Sequence, residues 1–268
     1  MLAARQGRDR VASATDLWRP THSKLQEGRS GASVPTMTRI LIPATSAADW
    51  QRLLAEPEKH WQSGHSAKAL AHCWQSAEEF PASVRAVLDS SPFPRFHALT
   101  MLLGIPEHQV PLPGGSRPSQ TDLFVLARTT KGELVSIAVE GKVAEPFGPR
   151  VSEWLDADAT GPSSGKFERL AYLCPLLRIS EGDAQPIRYQ LIHRTASALV
   201  EADRFNASLA LMLVHSFGGE DVGFEDFAAF AHILGTAAEP NAVSHVGERA
   251  GVDLYLGWAR GEDEFLTL

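Results

Sequence analysis

The sequence is poor in cysteine and holds no long apolar run. Only two of its 268 residues are cysteines, Cys73 and Cys174. That is too few for a disulfide framework and is typical of a protein of the reducing cytosol. No stretch reaches the roughly 18 apolar residues that a membrane-spanning helix needs. We therefore expect a cytoplasmic protein without a membrane span.

Positive charge is also scarce. The chain has 25 Lys and Arg against 32 Asp and Glu, a formal net charge of -7, which excludes a basic protein that wraps nucleic acid along its length. Residues 1–36 hold six basic and three acidic side chains, so residues 37–268 carry a net charge of -10. Any contact with a polyanion must then be local. The apolar share of 44% is nonetheless enough for a packed core.

The first 36 residues differ in composition from the rest of the chain. They are rich in Ser, Gly and Arg and lack both the apolar periodicity of regular structure and the apolar segment of a secretory signal. We predict that residues 1–36 are a disordered tail or lie upstream of a true start at Met37. Residues 37–268 are predicted to form a single domain.

After Met37, hydrophobic periodicity predicts alternating helices and strands. Two strand-like runs flank the turn signal Lys131-Gly132, which predicts an antiparallel hairpin. The last two strands are separated by a helix and should be parallel. The predicted elements include helix Ala67–Ala77 with Ser66 as its N-cap, strands Asp122–Ala127 and Leu134–Val139, helix Tyr189–Ala202, strand Leu209–Val214, helix Phe224–Leu234 and strand Leu254–Trp258. Shorter helices are predicted near Trp50–Leu54 and Val84–Leu88, and a further one at Phe167–Leu177. This order predicts an α/β fold with a mixed β-sheet flanked by helices.

The residues most suited to chemistry lie on the predicted hairpin. Glu140 and Lys142 are two apart on a strand, so their side chains point to the same face. A register symmetric about the turn places Asp122 opposite Gly141, next to both. Two convergent carboxylates suit a hard divalent cation such as Mg²⁺. A neighbouring lysine can hold a water or stabilise the charge of a phosphate under attack.

Asp122, followed by Glu140-x-Lys142 on the next strand, resembles the active-site motif of the PD-(D/E)XK nuclease superfamily, the restriction-endonuclease-like proteins. The resemblance spans roughly residues 66–260. It implies a core in the order αβββαβ, with extra N-terminal helices here and a first strand near His108–Leu112. It also implies a nuclease in which Asp122 and Glu140 hold Mg²⁺ or Mn²⁺ and Lys142 positions or activates the water. Thr121 stands where the motif's name has proline.

The motif alone is not specific, because about 0.7 acid-x-Lys matches are expected by chance in a chain of this composition. Its position on a hairpin whose first strand starts with Asp122 carries the interpretation. The alternative is a strand-end salt bridge in which Glu140 and Lys142 face solvent.

Several other side chains are candidates for the same site. Gln190 and Arg194, near the start of the predicted Tyr189–Ala202 helix, could contact a substrate phosphate, as could His193 and, in the segment after the motif, Arg150. Glu78 could add a carboxylate beside the metal, whereas Ser197 and Glu201 are better explained as a solvated helix face. Further candidates for a basic groove are Arg117, Lys166, Arg169 and Arg188. A zinc site is not predicted, because His60, His65, His72 and Cys73 match no standard ligand spacing.

Two other functions stay open at this point. One is a binding or regulatory module that keeps the nuclease fold without catalysis, which the acidic balance favours. The other is a metal-dependent hydrolase of a small phosphorylated substrate. For the nuclease, the expected partner is nucleic acid, DNA in the first place, and the resemblance is compatible with a homodimer.

Overall fold

Six strands form one mixed sheet. The computed structural model describes residues 44–157, 164–219 and 221–268. The strands are β1 (Thr100–Val110), β2 (Ser119–Arg128), β3 (Leu134–Lys142), β4 (Leu209–Ser216), β5 (Ala242–Arg249) and β6 (Val252–Arg260). Their order in the sheet is β1-β2-β3-β4-β6-β5. β1, β2 and β3 form an antiparallel meander, β4 is parallel to both β3 and β6, and β5 is antiparallel to β6.

Helices cover both faces of this sheet, which confirms the predicted fold class. The helices are α1 (Ala48–Gln51), α2 (Pro57–His60), α3 (Ser66–Ser76), α4 (Ala82–Ser90), α5 (Val151–Asp156), α6 (Ser164–Leu177), α7 (Glu181–Ala184), α8 (Tyr189–Phe205) and α9 (Phe224–Ile233). Short 3₁₀ turns lie at Pro94–Phe96 and Asp263–Leu266. Within the described residues, no helix combines the length and apolar content needed to cross a membrane.

Side-chain alternation along the strands divides the interior into two cores. On β3, Val135, Ile137 and Val139 pack into the core under α3 and α4, whereas Ala138 belongs to the core under α8. Because successive side chains point to opposite faces, Glu140 lies on the α8 face with Ala138. The sheet thus aims the motif residues at one specific helix.

Several elements differ from the sequence-based expectation. α3 begins at Ser66, with His65 as the N-cap and no side-chain cap, so Ser66 is the first helical residue instead. The first strand of the meander, β1, is 11 residues long. It was hard to predict because Gly104 and Pro106 disfavour a strand interior. β5 was not predicted, because it is an edge strand with a mostly polar, half-exposed pattern.

The expectations about residues 1–36 and a start at Met37 fall outside the described residues. The described part of the chain belongs to one compact unit. The division into a tail and a single domain stays a prediction.

Candidate active site

Three carboxylates lie side by side across the meander. Leu123 pairs with Val139, which puts Asp122 opposite Glu140, one residue from the expected Gly141. On the other side, β1 and β2 pair at Pro106 with Leu123 and at His108 with Thr121, so Glu107 lies beside Asp122. One carboxylate from each strand therefore faces the same cleft.

Glu107 was not among the predicted site residues. Its backbone has a φ of 52°, a left-handed conformation that costs a non-glycine residue ~1 kcal/mol or more. Its Oε2 accepts a hydrogen bond from Gln120 Nε2 at 2.8 Å, and both side chains line the cleft. The signal available from sequence was a carboxylate that follows the apolar part of the strand, but only the backbone irregularity shows where it points.

Glu140 is the centre of a hydrogen-bond network. Its Oε1 accepts from Lys142 Nζ at 2.9 Å and from Gln190 Nε2, and its Oε2 accepts from Arg194 Nε at 2.7 Å. Lys142 Nζ also donates to Gln190 Oε1 at 3.2 Å and lies 4.7 Å from the centre of the Phe147 ring. Glu140, Lys142 and Arg194 are all buried. The solvent-exposed salt bridge considered from sequence is therefore wrong for this pair.

Asp122 sits beside this network with fewer partners. Its Oδ2 accepts from the Gly141 backbone N–H at 2.8 Å, and its Oδ1 lies 3.9 Å from Arg194 Nη2. Burial and the Glu140 charge raise the pKa of Asp122 to about 7. Burial also raises the pKa of Glu107 well above its usual value, with the charge of Asp122 as the second cause. Burial and the neighbouring carboxylates thus favour the protonated form of both Asp122 and Glu107.

The pKa of Glu140 moves the other way. Burial acts to raise it, but the charges of Lys142 and Arg194 and the hydrogen bonds from both outweigh burial, so the pKa lies below its usual value. Glu140 is thus the ionised member of the row at neutral pH, and Asp122 is poised to lose its proton when a cation arrives.

The first turns of α8 supply the rest of the polar network. Ser119 Oγ lies 2.8 Å from His193 Nδ1, 3.2 Å from Arg194 Nη1 and 2.8 Å from Ser197 Oγ. The structure thus brings Gln190, His193 and Arg194 to the hairpin residues. Ser197 is buried by the same contacts, so its interpretation as part of a solvated face is wrong. Further along α8, Glu201 is buried as well.

Other candidates lie elsewhere. Arg150 is exposed at the N-cap of α5 and does not line the cleft. Glu78 is exposed beyond the end of α3 and does not line the cleft either. Arg169 is buried and donates to four backbone oxygens in the loop that precedes β2, and Arg188 bonds Asp226 and the Gly148 carbonyl. These cations support the fold around the site and not the row of carboxylates.

The cleft over the carboxylates has a volume of about 660 Å³. The α2–α3 segment contributes Lys59, His60 and His65 to its lining, and residues 145–149 and the first turns of α8 contribute the rest together with Lys142 and the carboxylate row. A volume of this size is typical of a site for a small ligand or one residue of a polymer.

The residues of the cleft fit a hard divalent cation. Three carboxylates offer only oxygen ligands, which Mg²⁺ and Mn²⁺ prefer. Their combined charge when ionised exceeds that of Lys142 and Arg194, the two cations that the structure places against them. Burial, and after it the charge of Glu140, raises the pKa of Asp122. Glu107, Asp122 and Glu140 are the residues that would hold such an ion.

A second cluster of ligand-type side chains lies outside the cleft lining. In the described part of the chain, Cys73, His215 and Glu262 have ligand atoms within 4.8 Å of one another. His215 Nδ1 accepts from the Trp74 indole N–H at 3.1 Å, so the proton of the neutral imidazole is on Nε2, 3.1 Å from Ser83 Oγ. A protonated Nε2 has no lone pair for a metal. This cluster is a buried hydrogen-bond chain that continues from Ser83 Oγ to Glu262.

Fold and cleft together define an α/β protein with a buried Glu-Lys-Arg network and a row of carboxylates at the edge of a mixed sheet. A family model described as a domain of unknown function, DUF6946, matches residues 43–263, and the chain belongs to this family. No curated protein and no solved structure matches it.

Proposed function

We propose that this protein is a divalent-metal-dependent nuclease that hydrolyses phosphodiester bonds with a site similar to that of the PD-(D/E)XK enzymes. The observation that carries the proposal is the buried contact of 2.9 Å between Glu140 and Lys142, opposite Asp122 and beneath α8. Burying a lysine beside a row of carboxylates costs desolvation free energy. That cost is typical of a site selected for chemistry and not for stability.

Asp122 and Glu140 would hold Mg²⁺ or Mn²⁺, with Glu107 as a third carboxylate. When bound, the ion supplies charge neutralisation at the phosphate and a water of lowered pKa. Lys142 is held by Glu140 and Gln190, so its ammonium group has a fixed position from which to orient a nucleophilic water. Gln190 thereby acts as a positioning residue for Lys142.

Arg194 is assigned to the substrate phosphate. Its Nε is bound to Glu140 and its Nη1 to Ser119, whereas its Nη2 lies 3.9 Å from Asp122, longer than a hydrogen bond. Nη2 thus retains N–H groups for a phosphate oxygen. A guanidinium stays charged at every working pH, so the cleft keeps one permanent cation for an anionic substrate.

The test is cleavage of labelled DNA and RNA by the purified protein with Mg²⁺ or Mn²⁺. Glu140→Gln should abolish cleavage, because the amide removes the negative charge shared by the metal and Lys142. Glu168→Gln is a matched control, since Glu168 is exposed on α6. Equal activity of the wild type and Glu140→Gln would overturn the proposal. We place the enzyme in the cytoplasm, with DNA as its first expected substrate.

A second candidate is a binding module that keeps this fold without catalysis. The observation that favours it is that both oxygens of Glu140 already accept hydrogen bonds from Lys142, Gln190 and Arg194. A carboxylate satisfied in this way needs no metal. Calorimetry separates the two candidates, because a folded protein that binds neither Mg²⁺ nor Mn²⁺ at millimolar concentration supports the module.

A further inference from the structure

We propose that the cleft admits an unpaired nucleotide of a single strand and excludes a base-paired duplex. This inference rests on the proposed phosphodiester hydrolysis and names its substrate class.

The first observation is the shape of the cleft. The carboxylates line a cavity of about 660 Å³ together with the α2–α3 segment, residues 145–149 and the first turns of α8. This volume lies within the roughly 300–1,000 Å³ of cavities that enclose one small ligand. Lys142 and Glu140 are buried, so a phosphate can reach Lys142 only if the nucleotide that carries it enters the cavity, which a stacked and paired nucleotide cannot do without leaving the duplex.

The second observation is that two of the arginines near the site are already engaged. Arg169 donates to the carbonyls of Leu112, Pro113 and Arg117 at 3.1, 2.7 and 2.9 Å. Arg188 pairs with Asp226 at 2.8 Å. Proteins that hold a duplex neutralise several phosphates with such cations. The side chains of Arg169 and Arg188 instead bind other groups of this chain.

The third observation is the charge of the cleft lining. Its Lys and Arg residues are Lys59, Lys142 and Arg194, whereas four carboxylates line the same surface. Of these three cations, Lys142 and Arg194 are already paired with Glu140. Such a lining has cations for one phosphate and not for a row of them.

The fourth observation is a fixed donor in the wall. His193 lines the cleft, and its Nδ1 lies 2.8 Å from Ser119 Oγ and 3.5 Å from Arg194 Nη1. Because a guanidinium only donates, Nδ1 is the acceptor and the proton is on Nε2. Burial and the nearby arginine charges keep the pKa of His193 well below its usual value. His193 therefore offers a neutral N–H to an acceptor atom of an unpaired nucleotide.

The experiment compares cleavage of one DNA sequence as a single strand and as a blunt duplex, with single-stranded RNA and a dinucleotide as further arms. We expect the single strand to be cleaved at least about tenfold faster than the duplex. Equal or faster cleavage of the duplex would overturn the inference. The RNA and dinucleotide arms identify whether the unpaired nucleotide comes from DNA, RNA or a free diester. If no substrate is cleaved, the proposed function fails instead, and tighter binding of the duplex than of the single strand in fluorescence anisotropy still overturns the inference.

Variants of His193 test the donor. His193→Phe removes the N–H and should raise KM for the single strand by about tenfold, the usual effect of one lost hydrogen bond. His193→Gln retains an N–H near the position of Nε2 and should restore much of the affinity. His232→Gln, at an exposed site on α9, is the control. An unchanged KM in His193→Phe would remove this residue from the binding site.

Discussion

Asp122 and Glu140 face each other across adjacent antiparallel strands, and their pKa values move in opposite directions. Burial and the Glu140 charge raise the pKa of Asp122 to about 7, whereas Lys142 and Arg194 outweigh burial at Glu140 and lower its pKa. Both carboxyls are aimed into the same cleft. The difference arises because Lys142 and Arg194 both donate hydrogen bonds to Glu140 and not to Asp122. At neutral pH, Glu140 therefore carries a stable negative charge, whereas Asp122 changes readily between its protonated and ionised forms.

The first prediction concerns stability without metal. Asp122 keeps its proton in the folded state up to about pH 7, whereas an unfolded Asp loses it near 3.8, so the stability that this group contributes is present below pH 3.8 and lost as pH rises to 7. Asp122→Asn should therefore raise the free energy of unfolding near pH 8 by up to about 4 kcal/mol. Urea denaturation with a chelator near pH 8 and pH 4 checks this. A variant less stable than wild type at pH 8 contradicts it.

The second prediction concerns metal affinity. Glu107→Gln should weaken Mn²⁺ binding by about 10–100-fold, because it removes one of three carboxylates from the cleft. The shift of the melting temperature with added Mn²⁺ reports this affinity independently of activity. Glu168→Gln should leave the shift unchanged. An unaltered shift in Glu107→Gln would show that this carboxylate is not a ligand.

The third prediction separates chemistry from binding. Lys142→Met should lower kcat by at least about 100-fold with little change of KM, because the ammonium acts on the water and not on substrate affinity. Lys131→Met, in the exposed turn of the same hairpin, is the control. Steady-state kinetics on a single-stranded substrate give both constants. A rise in KM with unchanged kcat would assign Lys142 to substrate binding instead.

The fourth prediction assigns Arg169 to stability. Its guanidinium satisfies backbone carbonyls of the loop before β2, and lysine cannot reproduce that fork. Arg169→Lys should lower the free energy of unfolding by about 2–3 kcal/mol. The exposed Arg117 provides the control Arg117→Lys. Equal stability of Arg169→Lys and wild type in urea denaturation contradicts this assignment.

The fifth prediction uses the buried imidazole of His215. Burial lowers its pKa from 6.5 to about 3, so the unfolded chain gains a proton below pH 6.5 that the folded protein does not take up until pH 3. His215 therefore destabilises the fold by about 1.4 kcal/mol per pH unit as pH falls through this range. His215→Asn keeps an acceptor for the Trp74 indole and should remove this contribution. The difference in unfolding free energy between wild type and variant, followed over this range, should change with that slope. A constant difference would contradict it.

Sequence reasoning was effective where the relation between residues is local. The two-residue spacing of Glu140 and Lys142 and a tight turn were enough to place both near Asp122, to within one residue of register. The periodic spacing of apolar residues likewise predicted α8 and placed Gln190 and Arg194 near its N-terminal end. These inferences need only the geometry of one strand or one helix.

Non-local relations were not accessible in the same way. Glu107 depends on a left-handed backbone angle inside β1, which no residue preference predicts for glutamate. The burial of Ser197 follows from how α8 lies against Ser119, and the role of Arg169 depends on carbonyls more than 50 residues away. Each of these is fixed by tertiary packing and not by the pattern around the residue.

Gly141 separates the two motif residues on the side of the sheet that faces α3. A side chain there would place its Cβ 3.3 Å from Leu70 Cδ2 and 3.5 Å from Asp122 Oδ2. Positions 141 and 70 therefore share one small volume, and a larger residue at one requires a smaller residue at the other. Among relatives, the two positions should covary. The chemistry on one face of β3 thus restricts which helix sequences evolution can place on the other.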